Sequence, residues 1–214
     1  MRSIARLCCA VAGVLFVVVS SATAAPILVT RDFAGGPPPP NDCTGVLGGR
    51  GTPCDVGFAL TPSAEVSPII LKVTFSNGVA GEPVLFDFPT VDGGEFAVNA
   101  NPGTSGTWTY TPGLGDPAVR FWVAKGGNEG FRLHWMVEGD TVGAACTGDA
   151  YNLACLNLAL SVTGGTWSTL GQNLGHMSWY DTGDLPGTVP EPVTLVLLGS
   201  GMLGFGIARP RRSR

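Results

Sequence analysis

Histidine and positive charge are scarce in this 214-residue sequence. His134 and His176 are the only two histidines, which leaves little for imidazole-dependent acid–base or nucleophilic catalysis. No G-x-S-x-G elbow occurs between the chain ends, so a serine hydrolase has no activated nucleophile here. No G-x-x-x-x-G-K-[ST] loop is present to cradle a phosphate. Of the 12 basic residues, Arg2 and Arg6 lie at the front and Arg209, Arg211, Arg212 and Arg214 at the back. Residues 25–189 therefore keep 6 basic groups against 15 of the 16 acidic ones, a net charge of −9. A nucleic-acid partner needs the opposite balance and is excluded. Glycine and proline supply 41 of those 165 residues, about a quarter. Long helices are disfavoured, because glycine costs about 1 and proline about 3 kcal/mol at a helix-interior site.

Long apolar runs occur only at the two ends. Met1–Arg6 is positively charged, Leu7–Val19 is an apolar run of 13, and Ser20–Ala24 ends in a small-x-small pattern. Residues 1–24 thus form a secretory signal peptide, removed by signal peptidase after Ala24 or Ala25. At the other end, Pro190-Glu191-Pro192 precedes sixteen uncharged residues, Val193–Ala208, and then R-P-R-R-S-R. As a helix, 193–208 rises about 24 Å against a hydrocarbon core of about 30 Å, a span that snorkelling arginines can complete. Arg209, Arg211, Arg212 and Arg214 form a cytoplasmic stop, leaving the middle of the chain outside. Ser200, Gly204 and Ala208 recur every four residues and give the helix a flat face for close contact in the membrane.

This tail, covering residues 189–214, resembles the PEP-CTERM sorting signal of bacterial exported proteins. All three parts are present in order: Pro190-Glu191-Pro192, the apolar helix and the terminal arginine cluster. The resemblance implies recognition of Pro190, Glu191 and Pro192 by an exosortase, a multi-pass membrane enzyme of transpeptidase-like chemistry. It further implies a two-membrane bacterium that makes exopolysaccharide. The precursor would be anchored in the inner membrane, and its product would reach the envelope, outer surface or extracellular matrix. The two prolines suit that role physically, since they stop the helix from extending outward and keep Glu191 in accessible, extended backbone.

Between the ends, Cys43, Cys54, Cys146 and Cys155 are an even set in an oxidising compartment, which favours two disulfides. Of three connectivities, 43–54 with 146–155 is preferred, each closing a loop of about ten residues for about 2–3 kcal/mol. Without C-x-x-C pairs, a zinc site is the weaker use of these cysteines. Residues 25–65 form a Pro/Gly-rich, disulfide-stapled region. Residues 66–188 read as an all-β passenger, an antiparallel sandwich or jelly-roll-like body. Nine strands are expected: Ile69–Phe75, Pro83–Phe88, Glu95–Asn99, Thr107–Thr111, Val119–Lys125, Gly130–Glu138, Leu156–Thr163, Gly165–Leu170 and His176–Tyr180. Within Gly130–Glu138, Leu133, Trp135 and Val137 alternate with Arg132, His134 and Glu138, the pattern of a half-buried strand with His134 outward. A helix within 142–160 is the lesser reading. A G-T-W-[ST] phrase recurs at Gly106 and Gly165, too short to establish a duplication.

No catalytic residue, metal site or cofactor is assigned from these patterns. His176 reads as a structural hydrogen-bonding group. Asp181-Thr-Gly-Asp184 lacks the spacing of a calcium loop. The resulting expectation is a non-enzymatic envelope or matrix protein, sorted by an exosortase and associated with exopolysaccharide or biofilm. A carbohydrate-binding module is the alternative, if Trp122, Trp135 and Trp179 project outward together. A secreted hydrolase, which requires facing carboxylates in a cleft, is the second.

Overall fold

The computed structural model describes residues 24–35, 42–48, 54–60, 67–86, 88–99, 102–140 and 142–181. They form β1 (Pro26–Ala34), β2 (Ile69–Ser76), β3 (Val79–Ala80), β4 (Val84–Leu85), β5 (Phe96–Asn99), β6 (Ser105–Tyr110), β7 (Val119–Gly126) and β8 (Gly130–Glu138). Two four-residue helices follow, α1 (Val142–Ala145) and α2 (Leu153–Leu156), and then β9 (Gly164–Ser168) and β10 (Leu174–Asp181). The architecture is all-β and antiparallel, as the composition implies. Among the described residues no helix is long and apolar enough to cross a membrane.

One sheet runs β1-β8-β7-β10-β2-β3, with β4 also on β2; the other runs β5-β6-β9. The two sheets pack face to face. The partition is seven strands against three, where a jelly roll divides its eight evenly. Local chemistry sets the hairpins. β2 ends at Asn77-Gly78, both with positive φ (51° and 80°), the conformation a tight turn into β3 requires.

The central strands of the large sheet are buried on both faces. On one, Trp122, Ala124, Met177 and Trp179 meet Trp108, Tyr110 and Trp167 of the small sheet. On the other, Phe121, Val123, Leu133, Trp135 and Val137 are covered by Leu47, Val56, Cys155 and Leu156. Residues 42–48, 54–60 and 142–160 thus form a third layer. The cysteines pair as Cys43–Cys54 and Cys146–Cys155, with Cα atoms 4.8 and 4.9 Å apart.

Several expectations change. The 25–65 region, separated from the sandwich by its composition, contributes β1, which pairs with β8 over nine residues from Pro26↔Glu138 to Ala34↔Gly130. Leu156–Thr163 is not a strand: Leu156 ends α2, and only Val162 makes a lone bridge, to Val119. Pro83–Phe88 shrinks to Val84–Leu85, because β2 offers it only Leu71 and Lys72 as partners. His134 lies opposite Leu133 and Trp135 as the alternation requires, but that face is buried too. The side chain is fully enclosed beneath the small sheet.

Candidate functional site

The residues of the sorting reading lie outside the described residues: Pro190, Glu191, Pro192, Ser200, Gly204, Ala208, Arg209, Arg211, Arg212 and Arg214. So do the leader through residue 23, and Asp184 of the Asp181–Asp184 pair. Within the body, the structure bears directly on the aromatic alternative.

All five tryptophans are buried, with Trp122, Trp135 and Trp179 at 0% exposure. A sugar-stacking platform on those three is therefore overturned. Their rings serve the core: Trp108 lies 5.2 Å from Trp122 and 6.0 Å from Trp179, both edge-on. Each ring removes about 150–250 Å² from water, far more than an exposed platform would return to the fold. His134 belongs to the same layer, stacked on Trp122 at 5.7 Å and 8°. Its Nε2 accepts the backbone N–H of Ser168 at 3.2 Å, linking β8 to β9 across the sheets. Burial lowers its pKa to about 4, so the ring is neutral.

The polar chemistry of the body gathers on the opposite face of the large sheet, around Asp42. This residue opens a single π-helical turn, Asp42–Val46, directly before the Cys43–Cys54 disulfide. The staple presses the turn onto the sheet, where β10 presents His176 and Ser178, and β2 presents Lys72 opposite Ser178. The carboxylate has no solvent exposure. Its Oδ2 accepts the Ser178 hydroxyl at 3.0 Å and lies 2.9 Å from His176 Nε2. Lys72 Nζ sits 3.2 Å from Oδ1 and 3.4 Å from Oδ2. Burial by itself would raise the Asp42 carboxyl. His176, Lys72 and Ser178 together outweigh burial and hold it well below the usual carboxylate range. Next along β10, the buried Tyr180 hydroxyl contacts Cys54 Sγ at 3.3 Å. Burial, with Asp42 as a neighbouring anion, pushes that phenol well above its ordinary pKa.

A second buried carboxylate, Asp55, accepts the backbone N–H groups of Gly57 (2.6 Å) and Ser67 (2.7 Å). That is turn-fixing work. Among the described residues no cluster of His, Cys, Asp and Glu is arranged to hold a metal ion. An apolar groove of about 670 Å³ opens where β2 and β4 diverge from β5, lined by Val73, Phe75, Leu85, Val91, Phe96 and Val98.

His176 was legible from the sequence as a hydrogen-bonding group, whereas Asp42 was not. The available signal was Lys72, a lone cation inside the apolar run I-I-L-K-V-T-F, because an inward lysine demands a partner.

These observations define a class: a disulfide-stapled, all-β body, its two sheets locked by tryptophans, followed by a C-terminal extension. That extension assigns the chain more closely, since residues 188–212 match the PEP-CTERM protein-sorting motif. Such a motif implies export, membrane anchoring of a precursor and processing by an exosortase. No curated protein and no solved structure matches it.

Proposed function

We propose that this is a non-enzymatic protein of the cell envelope or extracellular matrix, released from its membrane precursor by exosortase and associated with exopolysaccharide. The observation that carries this reading is the sorting motif at residues 188–212. Two disulfides support it, since they persist in an oxidising compartment. The buried polar groups support it as well. Asp42, Asp55 and His134 are all engaged inside the fold, in contacts that position loops and sheets. In this scheme Pro190, Glu191 and Pro192 are the recognition element, the 193–208 helix holds them at the membrane surface, and the arginines keep the end cytoplasmic.

Two strains test it. Deleting the exosortase should leave the C-terminus intact and the protein in the inner membrane. Identical C-terminal mass and fractionation in wild type and deletion strain would defeat the sorting half. In a strain that makes no exopolysaccharide, the processed protein should move from the matrix fraction to the medium. An unchanged matrix fraction there would defeat the association half.

A further inference from the structure

We propose that Lys72 and Asp42 are the two ends of an intramolecular amide cross-link, formed after folding by condensation of the lysine amine with the aspartate carboxyl. The geometry carries this. Nζ is nearly equidistant from the two carboxylate oxygens, at 3.2 and 3.4 Å. Both oxygens thus lie within ion-pair reach of the one amine, which holds the two groups in contact. The carboxyl is fully buried and the lysine side chain only 20% exposed. In water, amide formation is opposed by solvent and by the ionisation of both partners. The resting pair is ionised, so a proton must first pass from the amine to the carboxylate; the buried carboxyl meets no bulk solvent to oppose the loss of water that follows. Fixing the two groups in contact replaces a bimolecular encounter, an advantage worth effective molarities of about 10⁵–10⁸ M when geometry is productive.

The groups around Asp42 complete the chemistry. One ammonium proton passes from Nζ to Oδ2, giving a neutral amine and a carboxylic acid. The amine lone pair attacks Cγ, forming the Nζ–Cγ bond and leaving the negative charge on Oδ1. A second Nζ proton travels through His176 Nε2, which lies 2.9 Å from Oδ2, and protonates that oxygen. The Cγ–Oδ2 bond breaks, water departs, and the Oδ1 carbonyl reforms. An ammonium and a carboxylate enter; a neutral amide and one water leave, with no oxidant or reductant. Ser178, 3.0 Å from Oδ2, orients the departing oxygen. Tyr180 stays protonated beside the site, because burial raises its pKa. The product would tie the 42–46 turn to β2 at the residue next to its disulfide, so the third layer stays attached even when the disulfide is reduced.

Mass spectrometry of the full chain, secreted and purified, decides the matter. The expected product is one water lighter, about 18 Da, than the processed chain carrying two disulfides. After reduction and trypsin, residues 32–50 should remain joined to residues 51–120, with no cleavage after Lys72. Lys72→Arg keeps the charge but cannot condense, and should restore the unmodified mass. His176→Gln should slow the appearance of the linked form on the order of a hundredfold. An unmodified wild-type mass, or complete cleavage after Lys72, overturns the cross-link. A linked form that accumulates equally fast in His176→Gln overturns the proton relay.

Discussion

Gly106 stands directly opposite Trp167 across the β6–β9 ladder, and two residues along Trp108 stands opposite Gly165. The two G-T-W phrases are thus partners in one antiparallel ladder, each tryptophan set against the glycine of the other copy. Antiparallel pairing reverses one phrase against the other, so the same three residues fit twice. The space is exact to within a methyl group. A Cβ on Gly106 would lie 2.7 Å from the Trp167 ring and 2.1 Å from the Asn99 carbonyl oxygen; one on Gly165 would lie 2.8 Å from the Trp122 ring.

Gly106→Ala and Gly165→Ala should therefore each destabilise the fold by about 2–3 kcal/mol, the upper range for an overpacked site. Denaturant melts would show it as a lower midpoint. Stability unchanged within about 0.5 kcal/mol would mean that the sheets can part to admit a methyl group.

Acid should loosen the contact between the sheets. His134 has a pKa of about 4 in the fold, against an ordinary 6.5, because burial disfavours its charged form. Between those values the unfolded chain holds a proton that the folded chain does not. Its contribution is complete above about pH 6.5 and falls as the pH drops towards 4, reaching a loss of about 3 kcal/mol. Arg132 and Asp32 lie nearby with opposing effects. His134→Gln, which retains an acceptor for the Ser168 amide, should flatten the stability profile in that window relative to wild type. Parallel profiles for the two chains would remove His134 as the source.

The staples should contribute comparably. Cys146 and Cys155 are nine residues apart, Cys43 and Cys54 eleven. Loop entropy assigns each about 2–3 kcal/mol. Replacing Cys146 and Cys155 together with alanine should lower the unfolding free energy by that amount. Because Cys155 lies within the core, the double variant should also expose hydrophobic dye sites around Phe131 and Leu133. Equal denaturation midpoints for wild type and variant would show that this staple does not hold the third layer.

Replacing Pro190, Glu191 and Pro192 with alanines should leave the C-terminal apolar segment on the protein in a strain with an active exosortase. C-terminal peptide mapping would find residues 193–214 still attached. Normal processing of that variant would move recognition to another part of the 188–212 match.

Seven of the expected strands correspond closely to observed ones, because their signals are local: β-branched runs, period-two alternation and glycine-rich turns. β1 was hidden by position, since the partners of Pro26–Ala34 lie about a hundred residues further along the chain. His134 was misplaced for a related reason. Alternation reports which residues share a face, but not whether the second face meets water or another layer.

The sequence alone determined the sorting motif at residues 188–212, because such a motif is a linear string that needs no tertiary contact to be recognised. It also determined the all-β class, through turn residues and side-chain alternation acting over a few positions. Only the tertiary structure decided that the central strands of the large sheet are covered on both sides, that every tryptophan faces inward, and that Asp42 meets Lys72, His176 and Ser178. Those outcomes depend on contacts between residues up to 136 positions apart. Burial and electrostatics act through space, so neither can be read from neighbours along the chain.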